Sequence, residues 1–227
     1  MDWNLMSTEL WDDEAKNWGK RENKAKAWER GPRKAMIDFL FDYIGQPPGT
    51  VLDFGCGTGE STKIMMERGY DSIGTDQSTK MVKTAMQKGV QAKDMKNNTL
   101  PFSNESFDSI FACTSLEWTN RPSELISEVS RVLKQGGKIV AVTLGPSARP
   151  RWSAYKRLYG EQVIHNMMMP WELKALLEDH GLECTRMAGA QSGNKPLVDQ
   201  ETYELLSENW IAQASISFLW GIGAVKK

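Results

Sequence analysis

From residue 50 onward, short apolar runs take turns with segments whose apolar positions recur every three or four residues. The runs predict strands near 50–54, 71–75, 90–93, 107–112 and 138–143. The periodic segments predict helices over 60–68, 79–88 and 122–133. Parallel strands covered on both faces read as unbroken apolar stretches, as these do. Ser78 or Thr79 can cap the second helix and Pro122 opens the third. Leu125, Val129 and Val132 share one apolar face of that third helix before Gly136-Gly137 ends it. Alternation of this kind predicts an α/β fold, a doubly wound parallel sheet with right-handed crossovers.

The flanks follow other rhythms. Residues 1–30 hold Trp3, Trp11, Trp18 and Trp28, four of the nine tryptophans, and Trp11, Ala15 and Trp18 fall on one helix face. Gly31-Pro32 starts a second helix that reaches Gly45-Gln46-Pro47-Pro48. After Thr143 the pattern breaks. An irregular segment from Gly145-Pro146 to Met169 holds a helix around 151–160, and Pro170 begins another that ends at His180-Gly181. Strands are predicted over 182–190 and 213–225.

Composition narrows the class. At 227 residues, with 40% hydrophobic and 25% charged side chains, the chain suits one globular α/β domain. Its net charge of −1 gives no general pull toward nucleic acid or membrane. Eight basic residues between 16 and 34 (Lys16, Lys20, Arg21, Lys24, Lys26, Arg30, Arg33, Lys34) face two acids, which reads as a solvated helix face over packed aromatics. Cys56, Cys113 and Cys184 form no CxxC pair and only His165 and His180 are present, so neither a disulfide framework nor a metal site is expected. Met1-Asp2-Trp3-Asn4 lacks the basic start and apolar run of a signal peptide, and a cytoplasmic location is expected.

The chemistry concentrates where the first strand ends. Asp53 closes an apolar run, and Gly55, Cys56, Gly57, Thr58 and Gly59 lead into a helix. Glycines let a ligand approach the main chain, and the helix start presents unpaired N–H groups. The spacing is GxGxG, and Glu60 stands where a dinucleotide fingerprint has its third glycine. Asp53 and Glu60 would both repel a pyrophosphate. Asp76 ends the second strand 21 residues after Gly55, in position to hold ribose hydroxyls. The ligand expected here has a ribose and an amino-acid end but no diphosphate.

In five segments the chain resembles the class I S-adenosylmethionine-dependent methyltransferases, in the branch that includes the ubiquinone- and menaquinone-biosynthesis-type enzymes. They are Val51-Leu52-Asp53-Phe54-Gly55-Cys56-Gly57-Thr58-Gly59, Ile73-Gly74-Thr75-Asp76, Leu100-Pro101-Phe102, Ser106-Phe107-Asp108-Ser109-Ile110, and the stretch from Glu128 to Lys138. The resemblance implies a Rossmann-like seven-stranded sheet of order 3-2-1-4-5-7-6 with an antiparallel edge. It also implies one domain over 1–227: a helical lid in 1–45, a cofactor-binding core in 46–144, and a cap segment with the last strands in 145–227.

The same resemblance assigns roles. Asp53 would face the methionine ammonium, with Gly55, Cys56 and Gly57 along the amino acid and ribose. Asp76 would accept the ribose hydroxyls. Gln77 and Met81 would border the adenine, Asp94 and Met95 would meet its amino edge, and Thr114 and Ser115 would lie near the sulfonium. Candidates for a general base are Glu117, where a surface or capping role competes, and His165, in the segment that would cover the pocket. Trp118 and Trp152 could wall an apolar acceptor. The implied reaction is methyl transfer to a small molecule, without nucleic acid or membrane partners and with the oligomeric state open. The alternatives are an NAD(P)-dependent oxidoreductase and a non-catalytic regulator that binds S-adenosylmethionine.

Overall fold

Seven strands form one sheet in the order β3-β2-β1-β4-β5-β7-β6. They are β1 Thr50–Phe54, β2 Asp71–Asp76, β3 Ala92–Asp94, β4 Phe107–Cys113, β5 Leu133–Leu144, β6 Leu182–Ala190 and β7 Leu219–Lys226. The strands from β3 to β5 run parallel, while β7 is antiparallel to both β5 and β6. The sheet order expected from the resemblance is the one observed. The computed structural model describes residues 3–18, 26–193 and 195–227, without the side chains of 16–18 and 26. Trp18 of the aromatic stripe and the basic residues Lys16, Lys20, Arg21, Lys24 and Lys26 therefore lie outside the described side chains.

Helices cover both faces. Helix α1 spans Trp3–Trp18 and α2 Pro32–Ile44; α3 Glu60–Glu67, α4 Thr79–Gln87 and α5 Pro122–Val132 are the crossovers. The C-terminal third adds a 3₁₀ segment at Arg149–Tyr159, then α6 Pro170–Asp179, α7 Gln200–Leu205 and α8 Trp210–Ile216. One apolar layer joins β1, β4 and β5 to α5 and α6 through Leu52, Ile110, Leu125, Val129, Ile139 and Leu173. The other packs Met36, Ile37 and Leu40 of α2 against Phe111, Val140 and Val142. A core on each face explains why the central strands carry no polar alternation.

Two expectations need correction. The last strand does not occupy 213–225: residues up to Ile216 are helical and β7 begins at Leu219. Asn209 starts that helix by accepting the Ala212 N–H at 3.2 Å, and Trp210 stacks on Trp220. The apolar run at 216–219 thus marks a corner between two elements. The glycine pair does not end α5, which stops at Val132; β5 follows at once. Pairing jumps from Phe107↔Leu133 to Ser109↔Lys138, so Gly136, at φ +71°, sits in a bulge of the strand. Residues 149–159 are helical, as expected around 151–160, and the helix is of the 3₁₀ kind.

Candidate functional site

The chain leaves β1 toward β2 on one side, while β4 pairs on the other, so a crevice opens at the carboxyl ends of β1 and β4. A cavity of about 350 Å³ lies there, within the size range of small-molecule sites. Asp53, Gly55, Cys56, Gly57, Asp76, Gln77, Met81, Met95, Thr114 and Ser115 all line it. Asp94 does not, though it pairs with Asp76 across β2 and β3 and its Oδ1 is buried without a partner.

The helix that follows the glycine loop holds the first carboxylate. Asp53 is fully buried, and its Oδ2 accepts hydroxyls of Ser61 and Thr62, each at 2.6 Å, from the first turn of α3. Asp76 Oδ2 accepts the Gly57 N–H and Oδ1 the Ser78 N–H, both at 2.9 Å, which ties the loop to β2. Burial pushes both carboxyls up to about 6, against the pull of these hydrogen bonds. Burial would also raise Glu60, but Lys88 at 2.5 Å and the Thr58 hydroxyl outweigh it and hold its carboxyl below the ordinary value.

Close contacts fix the walls. A Cβ on Gly74 would fall 2.6 Å from Cys56 Sγ, so β2 meets the loop directly. Past β4, Thr114 takes the left-handed conformation at φ +53°, a strain that favours a functional position. Its carbonyl accepts the Trp118 indole N–H at 2.9 Å. Ser115 Oγ is buried beside the cavity and has no partner, a polar atom waiting for a polar ligand.

Helix α1 crosses above the cavity. Ser7 donates to the Trp118 carbonyl at 3.0 Å and accepts from Gln77 at 2.7 Å, while Asp12 takes the Ser78 hydroxyl at 2.5 Å. Trp11 lines the cavity and meets Trp118 edge to face at 4.8 Å. Toward β5 and β7 the cavity is lined by Trp28, Arg33, Trp118, Leu144, Phe218 and Leu219. Trp118, a candidate acceptor wall from the sequence, does line the cavity; the others carried no sequence signal for this site, because they come from three distant segments.

Neither candidate base reaches the cavity. Glu117 is fully buried, which corrects the surface reading: Oε1 accepts the Thr143 hydroxyl and the Leu144 N–H, each at 2.9 Å. Arg151, also buried, donates to the carbonyls of Leu144 and Met168. His165 packs edge to face on Trp118, and its Nδ1 accepts the Met167 N–H. Burial, with Arg151 nearby, pulls its imidazole down to about 4 and keeps it neutral at pH 7. Trp152 is exposed and away from the cavity. These groups brace the loop after β4. Glu117→Ala should strip the Leu144 N–H of its acceptor and lower stability by about 1–3 kcal/mol. A urea midpoint would register that loss, and Glu117→Gln, which keeps the acceptor, should lose less.

Among the described residues no cluster of His, Cys, Asp or Glu could hold a metal ion, and no helix is long and apolar enough to cross a membrane. Residues 52–141 match the family described as "Methyltransferase domain". An uncharacterized protein of Methanocaldococcus jannaschii is 39% identical over 107 residues, 47% of this chain and 49% of its own. A demethylmenaquinone methyltransferase of Renibacterium salmoninarum is 29% identical over 137 residues, 59% of this chain and 56% of its own. The chain thus spans about half the length of these curated relatives. Among solved structures, the geranyl diphosphate C-methyltransferase of Streptomyces coelicolor A3(2), in complex with S-adenosyl-L-homocysteine, aligns over 100% of this chain and 99% of its own with a TM-score of 0.70 and 17% identity. Residues 52–141 thus carry the match to a methyltransferase domain, and they hold the glycine loop and both strand-end carboxylates of the cavity on a sheet of the strand order that the resemblance implies.

Proposed function

We propose that the chain transfers the methyl group of S-adenosylmethionine to a small-molecule acceptor. The observation that carries this reading is the placement of two carboxylates, buried Asp53 and half-buried Asp76, on either side of one glycine loop in one cavity. Asp53 suits an ammonium, and Asp76, already ordered by two backbone N–H groups, suits a pair of ribose hydroxyls. Gly55, Cys56 and Gly57 border the amino acid and ribose. Gln77, Met81 and Met95 border the adenine, with Asp94 behind them. Thr114 and Ser115 flank the reacting end.

The cofactor supplies a methyl on a sulfonium: the acceptor's nucleophile bonds to that carbon, the C–S electron pair stays on sulfur, and the acceptor's proton passes to water. What the protein contributes is alignment, which allows about 7–11 kcal/mol, against roughly 3–5 kcal/mol for a positioned base. Alignment therefore dominates, and the remoteness of Glu117 and His165 does not count against catalysis. Helix α1, latched to both banks of the cavity, serves as the lid of this reading and excludes water from the site. Three free cysteines favour the cytoplasm. The oxidoreductase alternative fits less well, since Asp53, Glu60 and Asp76 would all face a diphosphate.

Incubation with radiolabelled S-adenosylmethionine and fractionated metabolites tests the reading: label should appear in a small-molecule fraction. Label confined to protein or nucleic acid, or to no fraction, would contradict it. Cofactor affinity should also depend on pH. Both carboxyls bind protons near pH 6, and their charged forms hold the ligand. Affinity for S-adenosylhomocysteine should hold above pH 7 and fall by about tenfold per pH unit for each carboxyl below 6. A flat calorimetric profile from pH 7.5 to 5 would sink that assignment.

A further inference from the structure

The 3₁₀ segment Arg149–Tyr159 turns one face outward. Three residues per turn bring positions i and i+3 into line, so its side chains stand in rows. Arg151 and Ala154 form the inner row and are buried. Arg151 pins that row to the sheet, donating from Nε to the Gly145 carbonyl at 3.0 Å and from Nη2 to the Leu144 carbonyl at 2.6 Å. The next row is Trp152, Tyr155 and Leu158, exposed by 62%, 53% and 76%. Tyr159, exposed by 77%, meets Tyr155 edge to face at 6.1 Å. Among the described residues, four of the eleven exposed large apolar side chains thus fall within eight residues of one short helix. Apolar side chains scattered singly over a surface need no explanation, but a cluster marks a place of contact.

Cations flank the row. Arg149 lies 5.6 Å over the Trp152 ring, and Lys156 and Arg157 are exposed on the same helix. From Gly145 to Met169 the chain holds four basic residues and one acid, Glu161, an asymmetry that the net charge of −1 conceals. Glu161 sits 3.6 Å from Lys156. Because Arg151 is buried, the outward charge belongs to Arg149, Lys156 and Arg157. Aromatic rings and a leucine projecting among Arg and Lys suit the boundary of a bilayer, where rings settle at headgroup level and cations meet lipid phosphates. An acidic protein would attract the same cations. Shape favours lipid: Leu158 and Tyr159 protrude, each more than three-quarters exposed, and a bilayer accepts such a row without a matching groove. Pro150, in the same segment, lines the cavity, so this face stands beside the site.

We propose that Trp152, Tyr155, Leu158 and Tyr159, with Arg149, Lys156 and Arg157, form a docking surface for an anionic phospholipid bilayer. Binding there needs no cofactor, so the proposal is tested apart from the methyltransferase reading.

The full chain is sedimented with vesicles of phosphatidylcholine alone and with vesicles in which phosphatidylglycerol replaces part of it. Partitioning onto the anionic vesicles should exceed that onto the neutral ones by about tenfold or more, and high salt should release the protein. Trp152→Ser combined with Leu158→Ser should cut anionic partitioning by about tenfold or more. Arg149→Gln combined with Arg157→Gln should bring the preference for anionic vesicles below about threefold. All four side chains are exposed, so thermal melts of both double variants should match wild type. Equal partitioning onto the two kinds of vesicle, or partitioning that survives both double variants, would overturn the proposal. Absence of vesicle binding would overturn it too, and an acidic protein held by wild type but not by the variants would then make the row a protein interface.

Discussion

Asp76→Ala is expected to weaken S-adenosylhomocysteine binding by about a hundredfold or more, since two charge-assisted hydrogen bonds to the ribose are worth about 1.5–3 kcal/mol each. The loss has a second source. Asp76 accepts the N–H of Gly57 and of Ser78, so the alanine also frees the glycine loop that the ligand must find ordered. Asp76→Asn separates the two, because the amide keeps one acceptor oxygen for the backbone while it removes the charge. Its affinity should fall between wild type and alanine. Isothermal titration gives all three constants. An alanine variant within threefold of wild type would remove Asp76 from the ribose site.

Gly55→Ala should cost both folding stability and cofactor binding. Its φ of +74° is a conformation that other residues take at about 1–2 kcal/mol. A Cβ there would also stand 2.3 Å from Ser115 Cβ and 3.5 Å from Ser115 Cα. Only a shift of the loop after β1 away from the segment after β4 can relieve that overlap, and those are opposite walls of the cavity. We expect a stability loss of about 3 kcal/mol or more, with strain and overpacking added, and no measurable binding of S-adenosylhomocysteine. Gly136→Ala is the control. Its φ is +71°, yet an added Cβ meets nothing within 4 Å. It should lose about 1 kcal/mol and bind the cofactor as wild type does. Equal behaviour of the two variants in thermal melts and titrations would show that backbone strain, and not the contact with Ser115, governs position 55.

The central sheet was legible because its residues obey local rules. Val51, Leu52 and Phe54 mark a strand buried on both faces, Pro122 and the Leu125, Val129, Val132 stripe mark a helix, and Asp53 and Asp76 stand at the strand ends where the cavity opens. The C-terminal third followed rules that a one-dimensional reading does not see. Ile216, Phe218 and Leu219 form one apolar run but belong to a helix end, a corner and a strand, because Asn209 caps α8 and Trp220 needs Trp210 over it. Gly136-Gly137 resembled a helix stop, yet register demands of β4 made them a bulge. At the site, Glu117 had the composition of a surface residue; its burial depends on Thr143 and Leu144, which the fold brings to it from 26 and 27 residues away.

A crystal of the full chain grown with S-adenosylhomocysteine puts the whole reading to one measurement. The two ribose hydroxyls should lie within hydrogen-bond reach of the Asp76 carboxylate, about 2.5–3.0 Å, with the amino-acid end along Gly55 to Gly57 and its ammonium toward Asp53. Density that places the sugar away from Asp76, or a crystal soaked with NAD that shows a diphosphate on the glycine loop while the homocysteine product leaves the cavity empty, would contradict it.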